Sequence, residues 1–518
     1  MYIESPVPYD KSIVWELHNQ FFQTRGSQAW LSGSIPFQSI NSIAMARQHA
    51  RFLCTLYEQE CKGGLLLEGD PFCVLEIGAG LGLFAANIFE ALCEDCGKTG
   101  KILSKSLRYI LSDYQVDTVQ AAMDSAPIQK WKKQIIPAIF DMRTVRLSDF
   151  EQNQIDDKPY VIFANYVCCV APGKQLRFDN GSWSELYAQV QATPEDWKQY
   201  TQEDNHNILK DIPIEFVWKE ISLSGSLPLD EDVALIKRVR GNWNEASFYY
   251  PYVFFHMLQK LDSIMMNRGY VIISDYGQAP CDGIAGKTKK SIEYYGNTLN
   301  HAVSFALFSE FAQLHGWSAL LTSEPVRSIQ HVCLRIGHSV SHHVADSFAH
   351  NYNQCFDGED LSLFWEIAQK YMDEKQYRKS AYFASRCIQL NPHDPRYSYL
   401  AARALIAEGN DLAAQYYLQI GHALPVHPDC NFAFQMGRVA VHMGYLNDAI
   451  RYYEEAELHS QFPALYSNKA YILIDLFQYK QAYAALQKSF ALNPDHAPST
   501  ECLSLLKEKI WLQWQDER

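Results

Sequence analysis

Four small residues recur at nearly one interval late in this 518-residue chain: Ala368, Ala402, Gly437 and Ala470, spaced 34, 35 and 33 apart. A second small position follows each by twelve residues, at Ser380, Ala414, Ala449 and Ala482. This period leaves little choice of fold. Each unit is a helix pair too small to bury its apolar face alone, so neighbouring units must stack. Small side chains are needed where the two helices of a pair approach closely. Asn391–Pro392 and Asn493–Pro494 close the first and last units, because proline cannot continue a helix. An unrelated bundle would have to reproduce three near-equal spacings at two positions by chance.

A period near 34 residues with small residues at the helix crossing resembles the tetratricopeptide repeat. About four repeats fit residues 361–518, with Ser499–Trp514 as a solvating cap helix. The resemblance implies an all-α solenoid that binds a protein partner.

Upstream of about residue 345 the rhythm changes. Apolar runs at Phe72–Ile77, Leu107–Ser112, Gln134–Phe140, Tyr160–Ala164 and Tyr270–Ser274 alternate with helical patterns such as Leu83–Cys93 and Val116–Asp124. This alternation predicts an α/β domain over 1–345, a largely parallel sheet with helices on both faces. Residues 175–240 break the rhythm and read as an insertion, a β-hairpin arm with helices. A linker is expected at 346–360.

Composition narrows the function. Hydrophobic residues make up 47% and charged residues 20%, the balance of a folded chain. A net charge of −14 with no long Lys/Arg run argues against a nucleic-acid partner. No apolar stretch is long enough to span a bilayer, and MYIESPVPYDKSIVWELHNQ lacks both a basic n-region and an apolar h-region. Membrane insertion is therefore not expected. The thirteen scattered cysteines read as thiols of a reducing, cytoplasmic compartment, which leaves a signal-independent export route open. Cys93 and Cys96 form a single C-x-x-C with no second pair at zinc spacing, so no metal is expected.

The sharpest local signal is Cys73–Asn87, CVLEIGAGLGLFAAN. An apolar strand ends near Glu76, glycines follow at Gly78, Gly80 and Gly82 around Ala79 and Leu81, and a helix opens. Glycines let the backbone turn sharply and a ligand approach the main chain, while the helix start offers free N–H groups. A dinucleotide site would place its third glycine at position 83, which is Leu83. The G-x-G-x-G spacing after an acid instead resembles the first motif of class I methyltransferases, which bind S-adenosylmethionine. Asp113, after the LRYIL run, is suited to accept both ribose hydroxyls. Asp141, after IIPAIF, falls where the adenine amino group would lie. Either acid alone could equally cap a helix.

LEIGAGLG, YILSDYQ, VIFANYV with Pro172, and GYVIISDYGQ together resemble the MidA-like methyltransferase family, which includes the mitochondrial complex I assembly factor seven. The similarity covers about residues 35–335 and extends to GNTLNHAVSF (296–305), with Glu245 and Pro251 loosely matching. It implies a Rossmann-like methyltransferase with an insertion; the complex I member methylates an arginine on a protein partner. This chain departs from the family at its acids: Tyr166, Cys169 and Ser304 stand where carboxylates are usual. A guanidinium is best held by carboxylates, so the departures weigh against arginine as acceptor.

Methyl transfer is an in-line displacement that depends mainly on placing the nucleophile. Asn165 is the first candidate to contact cofactor and orient the acceptor, with Tyr166 second and His301 a possible base. Against these stand a loop-capping Asn165 and a core His301. Asp275 either satisfies loop N–H groups or lines the site. The Phe248–Tyr250 cluster with Tyr252 either walls a pocket or fills core. Cys168 and Cys169 lack a base and are rejected as nucleophiles. The leading reading is a protein methyltransferase with a recruiting repeat array. The alternatives are a degenerate methyltransferase-fold scaffold and a small-molecule methyltransferase.

Overall fold

The computed structural model describes residues 3–26, 29, 42–145, 158–200, 209, 211–241, 245–265, 268–278, 292–295, 297–322, 329–337, 339–353, 361–424 and 427–516. Gly296, residues 354–360 of the expected linker, and residues 201–208 and 210 of the expected insertion lie outside them. The chain divides into two compact units, Met1–Asp357 and Gly358–Arg518.

The first unit is built on one large mixed sheet. Its strands are β1 (Val7–Pro8), β2 (Phe72–Ile77), β3 (Leu107–Asp113), β4 (Ile135–Ile139), β5 (Val161–Asn165), β6 (Lys174–Asp179), β7 (Ser182–Val190), β8 (Ile214–Ile221), β9 (Ala246–Tyr250), β10 (Gly269–Gln278), β11 (Ile292–Tyr295), β12 (Thr298–His301), β13 (Val303–Ser304), β14 (Ser318–Leu321) and β15 (Ile329–Ile336). The central run β4-β3-β2-β5-β10 is parallel throughout. β15 then pairs antiparallel with β10, and β14 with β15. Beyond β10 the sheet continues through β13, β9, β6 and β7. β11 and β12 form a separate hairpin.

Why the centre is parallel is written in β2. All six of its residues are buried. Successive side chains point to opposite faces: Cys73, Leu75 and Ile77 join one apolar cluster, Phe72 and Val74 the other. A strand buried on both faces needs helices on both, as βαβ crossovers provide. Helices α1 (Val14–Arg25), α2 (Ile43–Lys62) and α3 (Leu83–Glu94) precede or follow β2. α2 and α3 cover one face through Phe52, Leu56, Phe84 and Ile88. Helices Tyr252–Ile264 and Ala306–Leu314 cover the other through Phe255, Leu258, Phe308 and Phe311.

The described part of 175–240 holds a hairpin, β6–β7, with β8 alongside, and the helices Pro194–Tyr200, Leu223–Ser226 and Asp230–Arg240; the hairpin extends the main sheet by antiparallel pairing to β9. The amino-terminal segment packs on this extension. Tyr9, Trp15 and Leu17 share a cluster with Leu186, Ala188 and Tyr249. Buried Lys174 ties the two segments together, its ammonium donating to Asp10 at 3.1 Å and to Glu185 at 2.5 Å. A buried charge is tolerable only when paired in this way.

The second unit is all helical. Nine helices run from Leu361–Asp373 to Ala497–Asp516 among the described residues, each packed on the next. The recurring small positions lie where paired helices cross: Ala368, Ala402, Ala414, Ala449, Ala470 and Ala482 are wholly buried. The Ser380 hydroxyl donates to the Ala368 carbonyl at 2.8 Å across the first pair. A Cβ on Gly437 would lie 2.4 Å from the Tyr453 ring.

Candidate active site

The bend after β2 has a conformation that dictates its glycines. Gly78, Gly80 and Gly82 have φ of 70°, 53° and 71°, in the left-handed region that L side chains rarely adopt. Space is short as well: a Cβ at Gly78 would lie 2.9 Å from Val167, and one at Gly82 3.0 Å from Leu111. Gly82 is the N-cap of α3. It packs toward Leu111 and Ile128, while Gly78, Ala79 and Gly80 line a cleft.

Three carboxylates face that cleft, each from a neighbouring strand tip. Asp113, ending β3, accepts from the Gly80 N–H and the Gln115 N–H, both at 3.2 Å. Burial raises it to about 6 against the pull of these donors. Glu76 accepts from the Tyr109 hydroxyl at 2.9 Å. Burial pushes it up to about 8; the Tyr109 bond offsets this in part and the Asp113 charge adds to it. Asp141 is held by Arg143, whose guanidinium meets it at 2.7 Å. Burial would raise Asp141, but the Arg143 hydrogen bonds outweigh it and leave the carboxyl below its ordinary value.

Asn165 ends β5 at the floor of the same cleft. It is 7% exposed, and neither its Nδ2 nor its Oδ1 has a protein partner. Buried amides in folded chains are nearly always satisfied, so two orphaned atoms on one side chain point to a ligand. Tyr166 follows with φ of 56°, left-handed in a bulky residue. Strain of this kind persists where surroundings fix it. The surroundings here are the Ser274 carbonyl, which accepts from Tyr166 N–H at 2.9 Å, and Asp275. The Asp275 carboxylate accepts from the N–H groups of Cys168 and Cys169, both at 2.9 Å, so of its two expected roles it fills that of pinning the loop. Burial raises it to about 6. Burial also pushes the Cys168 and Cys169 thiols up, with the Asp275 charge adding to it, the opposite of an activated nucleophile.

His301 requires a correction. It does not line the cleft but lies inside a packed cluster, stacked on Tyr249 with ring centroids 3.7 Å apart. Both ring nitrogens are engaged, Nε2 with the Tyr9 hydroxyl at 2.9 Å and Nδ1 with the Cys169 carbonyl at 3.0 Å. Burial lowers it to about 3. A ring so enclosed cannot receive an acceptor's proton. The Phe248–Tyr250 run is likewise buried core, with the Tyr249 hydroxyl donating to the Ala171 carbonyl at 2.5 Å.

Part of the cleft wall was not anticipated. α1 supplies His18, Asn19 and Phe22, and β12 supplies Asn300. The Leu299 N–H donates to His18 Nδ1 at 3.0 Å and so joins the two elements. An N–H can only donate, so Nδ1 holds a lone pair and the proton of the neutral ring sits on Nε2. Burial lowers His18 to about 3, with His301 and Arg143 adding to the effect.

Residues 50–309, half the chain, match the family model described as "Putative S-adenosyl-L-methionine-dependent methyltransferase". The chain belongs to this family of S-adenosylmethionine-dependent methyltransferases, and S-adenosylmethionine is its cofactor. Among solved structures, a Burkholderia thailandensis protein bound to S-adenosyl-homocysteine is 13% identical, covering 65% of this chain and 90% of that one at a TM-score of 0.39. YrrB, a TPR protein with an unusual peptide-binding site, is 15% identical over 31% of this chain and 80% of its own, at a TM-score of 0.26. No curated protein matches the chain. Among the described residues no group of three or more His, Cys, Asp and Glu could hold a metal, and no helix is long and apolar enough to cross a membrane.

Proposed function

We propose that the chain is a MidA-like methyltransferase acting on a protein side chain. In this reading the domain expected over 1–345 also takes in the first half of the 346–360 linker, where the helix His342–Tyr352 buries Phe348 and Tyr352 in the first unit's core, and 361–518 is a tetratricopeptide array that recruits the protein substrate or partner. Gly78, Ala79 and Gly80 back the methionine part of S-adenosylmethionine, with Gly82 fixing the turn. Asp113 takes the ribose hydroxyls, since each of its oxygens keeps a lone pair beyond its loop bond. Glu76 lies beneath the cationic part, where a nearby positive charge would favour its ionised form. Asp141, with Arg143 against it, meets the adenine edge. The bound cofactor supplies an electrophilic methyl group. The protein's share is to hold the acceptor in line with that methyl, through Asn165 and the strained Tyr166 beside it.

The observation that carries the reading is the orphaned Asn165 amide in a cleft walled by the glycine bend and Asp113. A retired scaffold would have no reason to keep that amide unsatisfied. The buried small residues at the recurring positions support the repeat reading, and the thiols throughout the described chain fit a reducing, cytoplasmic setting. The test is to incubate the full chain with methyl-tritiated S-adenosylmethionine and a protein extract. Label in the protein fraction, lost with Asn165→Asp, is expected. Label confined to small molecules would overturn the protein-substrate reading.

A further inference from the structure

Among the described residues, the end of the cleft where α1, β5 and β12 meet carries no charged side chain. The carboxylates lining the cleft among the described residues are Glu76, Asp113 and Asp141, from the β2, β3 and β4 tips, and each is already held by Tyr109, the glycine bend or Arg143. Where α1, β5 and β12 meet, the described polar lining is His18, Asn19, Asn165, Tyr166 and Asn300. Their hydrogen-bonding capacity can be counted. Asn165 offers two N–H donors and an oxygen acceptor side by side, none with a protein partner. His18 accepts through Nδ1 and therefore carries Nε2–H as a donor. Asn300 gives one amide N–H to the Thr298 hydroxyl at 2.9 Å, which leaves its second N–H as a donor and its oxygen as an acceptor.

Across Asn165, His18 and Asn300 that makes four N–H donors and two amide oxygens, with no charge among these three side chains. A carboxamide can engage both oxygens with its two N–H groups and accept from two of the donors, His18 and Asn165 among them, on the two lone pairs of its carbonyl oxygen. A guanidinium presents only donors. It would leave the His18 and Asn165 N–H groups unmatched and its own charge uncompensated, which is costly in a buried site. A hydroxyl has a single N–H or O–H equivalent to give and would leave one acceptor idle. We propose that the methyl acceptor is a neutral carboxamide, the side chain of glutamine or asparagine, seated between Asn165, His18 and Asn300. This rests on the cofactor reading above and adds the substrate class to it.

In the transfer, the amide nitrogen's electron pair forms the new N–C bond, and the C–S bond breaks with its pair passing to sulfur. The nitrogen's surplus proton leaves to water. Donors from His18 and Asn165 on the amide oxygen stabilise the charge that shifts onto it and make the N–H more acidic. No side-chain base is required of His18, whose burial keeps it neutral.

The test uses the full chain saturated with S-adenosyl-homocysteine and two probes, N-acetylglutamine methylamide and N-acetylarginine methylamide. The glutamine probe is expected to bind saturably and at least about tenfold tighter than the arginine probe. Asn165→Asp, which supplies a carboxylate, should invert that order, and His18→Phe should weaken the glutamine probe about tenfold while homocysteine-nucleoside affinity holds. Equal or tighter binding of the arginine probe, or no binding of the glutamine probe to the saturated protein, would overturn the proposal. Failure to bind S-adenosyl-homocysteine at all would instead bring down the cofactor reading before either probe is added.

Discussion

The carboxylate of Asp113 accepts a hydrogen bond from the backbone N–H of Gly80 at 3.2 Å, joining the tip of β3 to the bend after β2. The bond fixes two parts of one cleft at once. It turns the acid toward the glycines, and it braces a left-handed loop that the Ala79 N–H also ties to β3 by donating to the Ser112 carbonyl at 2.9 Å. Because Asp113 titrates near 6 when buried, its charge is conditional.

Cofactor affinity should therefore fall as pH drops through about 6, where Asp113 takes up a proton and loses its capacity to accept from both ribose hydroxyls. Binding at pH 6 should release protons. Calorimetry in two buffers of different ionisation enthalpy measures this directly, and an affinity flat from pH 5 to 8 would exclude Asp113 from the contact.

Glu76 sets a pH dependence of stability. Its folded value of about 8 lies above the ordinary 4.5, so the folded state binds this proton more tightly than the unfolded state does. The contribution is fully present below about 4.5 and is lost as pH rises through about 8. Glu76→Gln cannot ionise and should remove this pH dependence, raising Tm relative to the unaltered chain at pH 8.5 by about 2–4 °C or more and changing little at pH 5. Scanning fluorimetry across that range checks the sign.

How much of this was legible in the sequence depends on distance along the chain. The glycine bend was legible because positive φ and a crowded surround admit almost no other residue at Gly78 and Gly82. The strand at Phe72–Ile77 and the helix at Val116–Asp124 were legible because two-sided burial and helical period write themselves locally. The cleft wall from α1 was not. His18 meets its partner Leu299 across 281 positions, and no local pattern encodes such a pairing. The same holds for His301, whose neighbours Tyr9 and Tyr249 come from separate elements. The hairpin of 174–190 was visible as a break in rhythm, but its union with β9 in the main sheet rests on backbone pairing that side chains do not announce.

His301→Ala should act on stability and not on chemistry. It removes the face of Tyr249's stack and leaves the Tyr9 hydroxyl without a partner, at a cost of about 2–4 kcal/mol. Chemical denaturation reads the loss. In the folded fraction, cofactor affinity should remain within about threefold.

In the second unit, Gly437→Val should destabilise through overlap with Tyr453, since the added Cβ would sit 2.4 Å from the ring. Overpacking of this kind costs about 1–3 kcal/mol. Circular dichroism during heating should record a lower helical transition, whereas cofactor affinity at 25 °C should not move.

The central claim is that the Gly78–Gly82 bend and Asp113 together hold S-adenosylmethionine. Calorimetric titration of S-adenosylmethionine into the full chain, beside Asp113→Ala and Gly80→Val, tests it most directly. Saturable binding at one site is predicted for the unaltered chain, with affinity reduced about 30-fold or more in each variant while circular dichroism stays unchanged. Binding that both variants leave intact, or an unaltered chain that gives no saturable heat, would contradict the account.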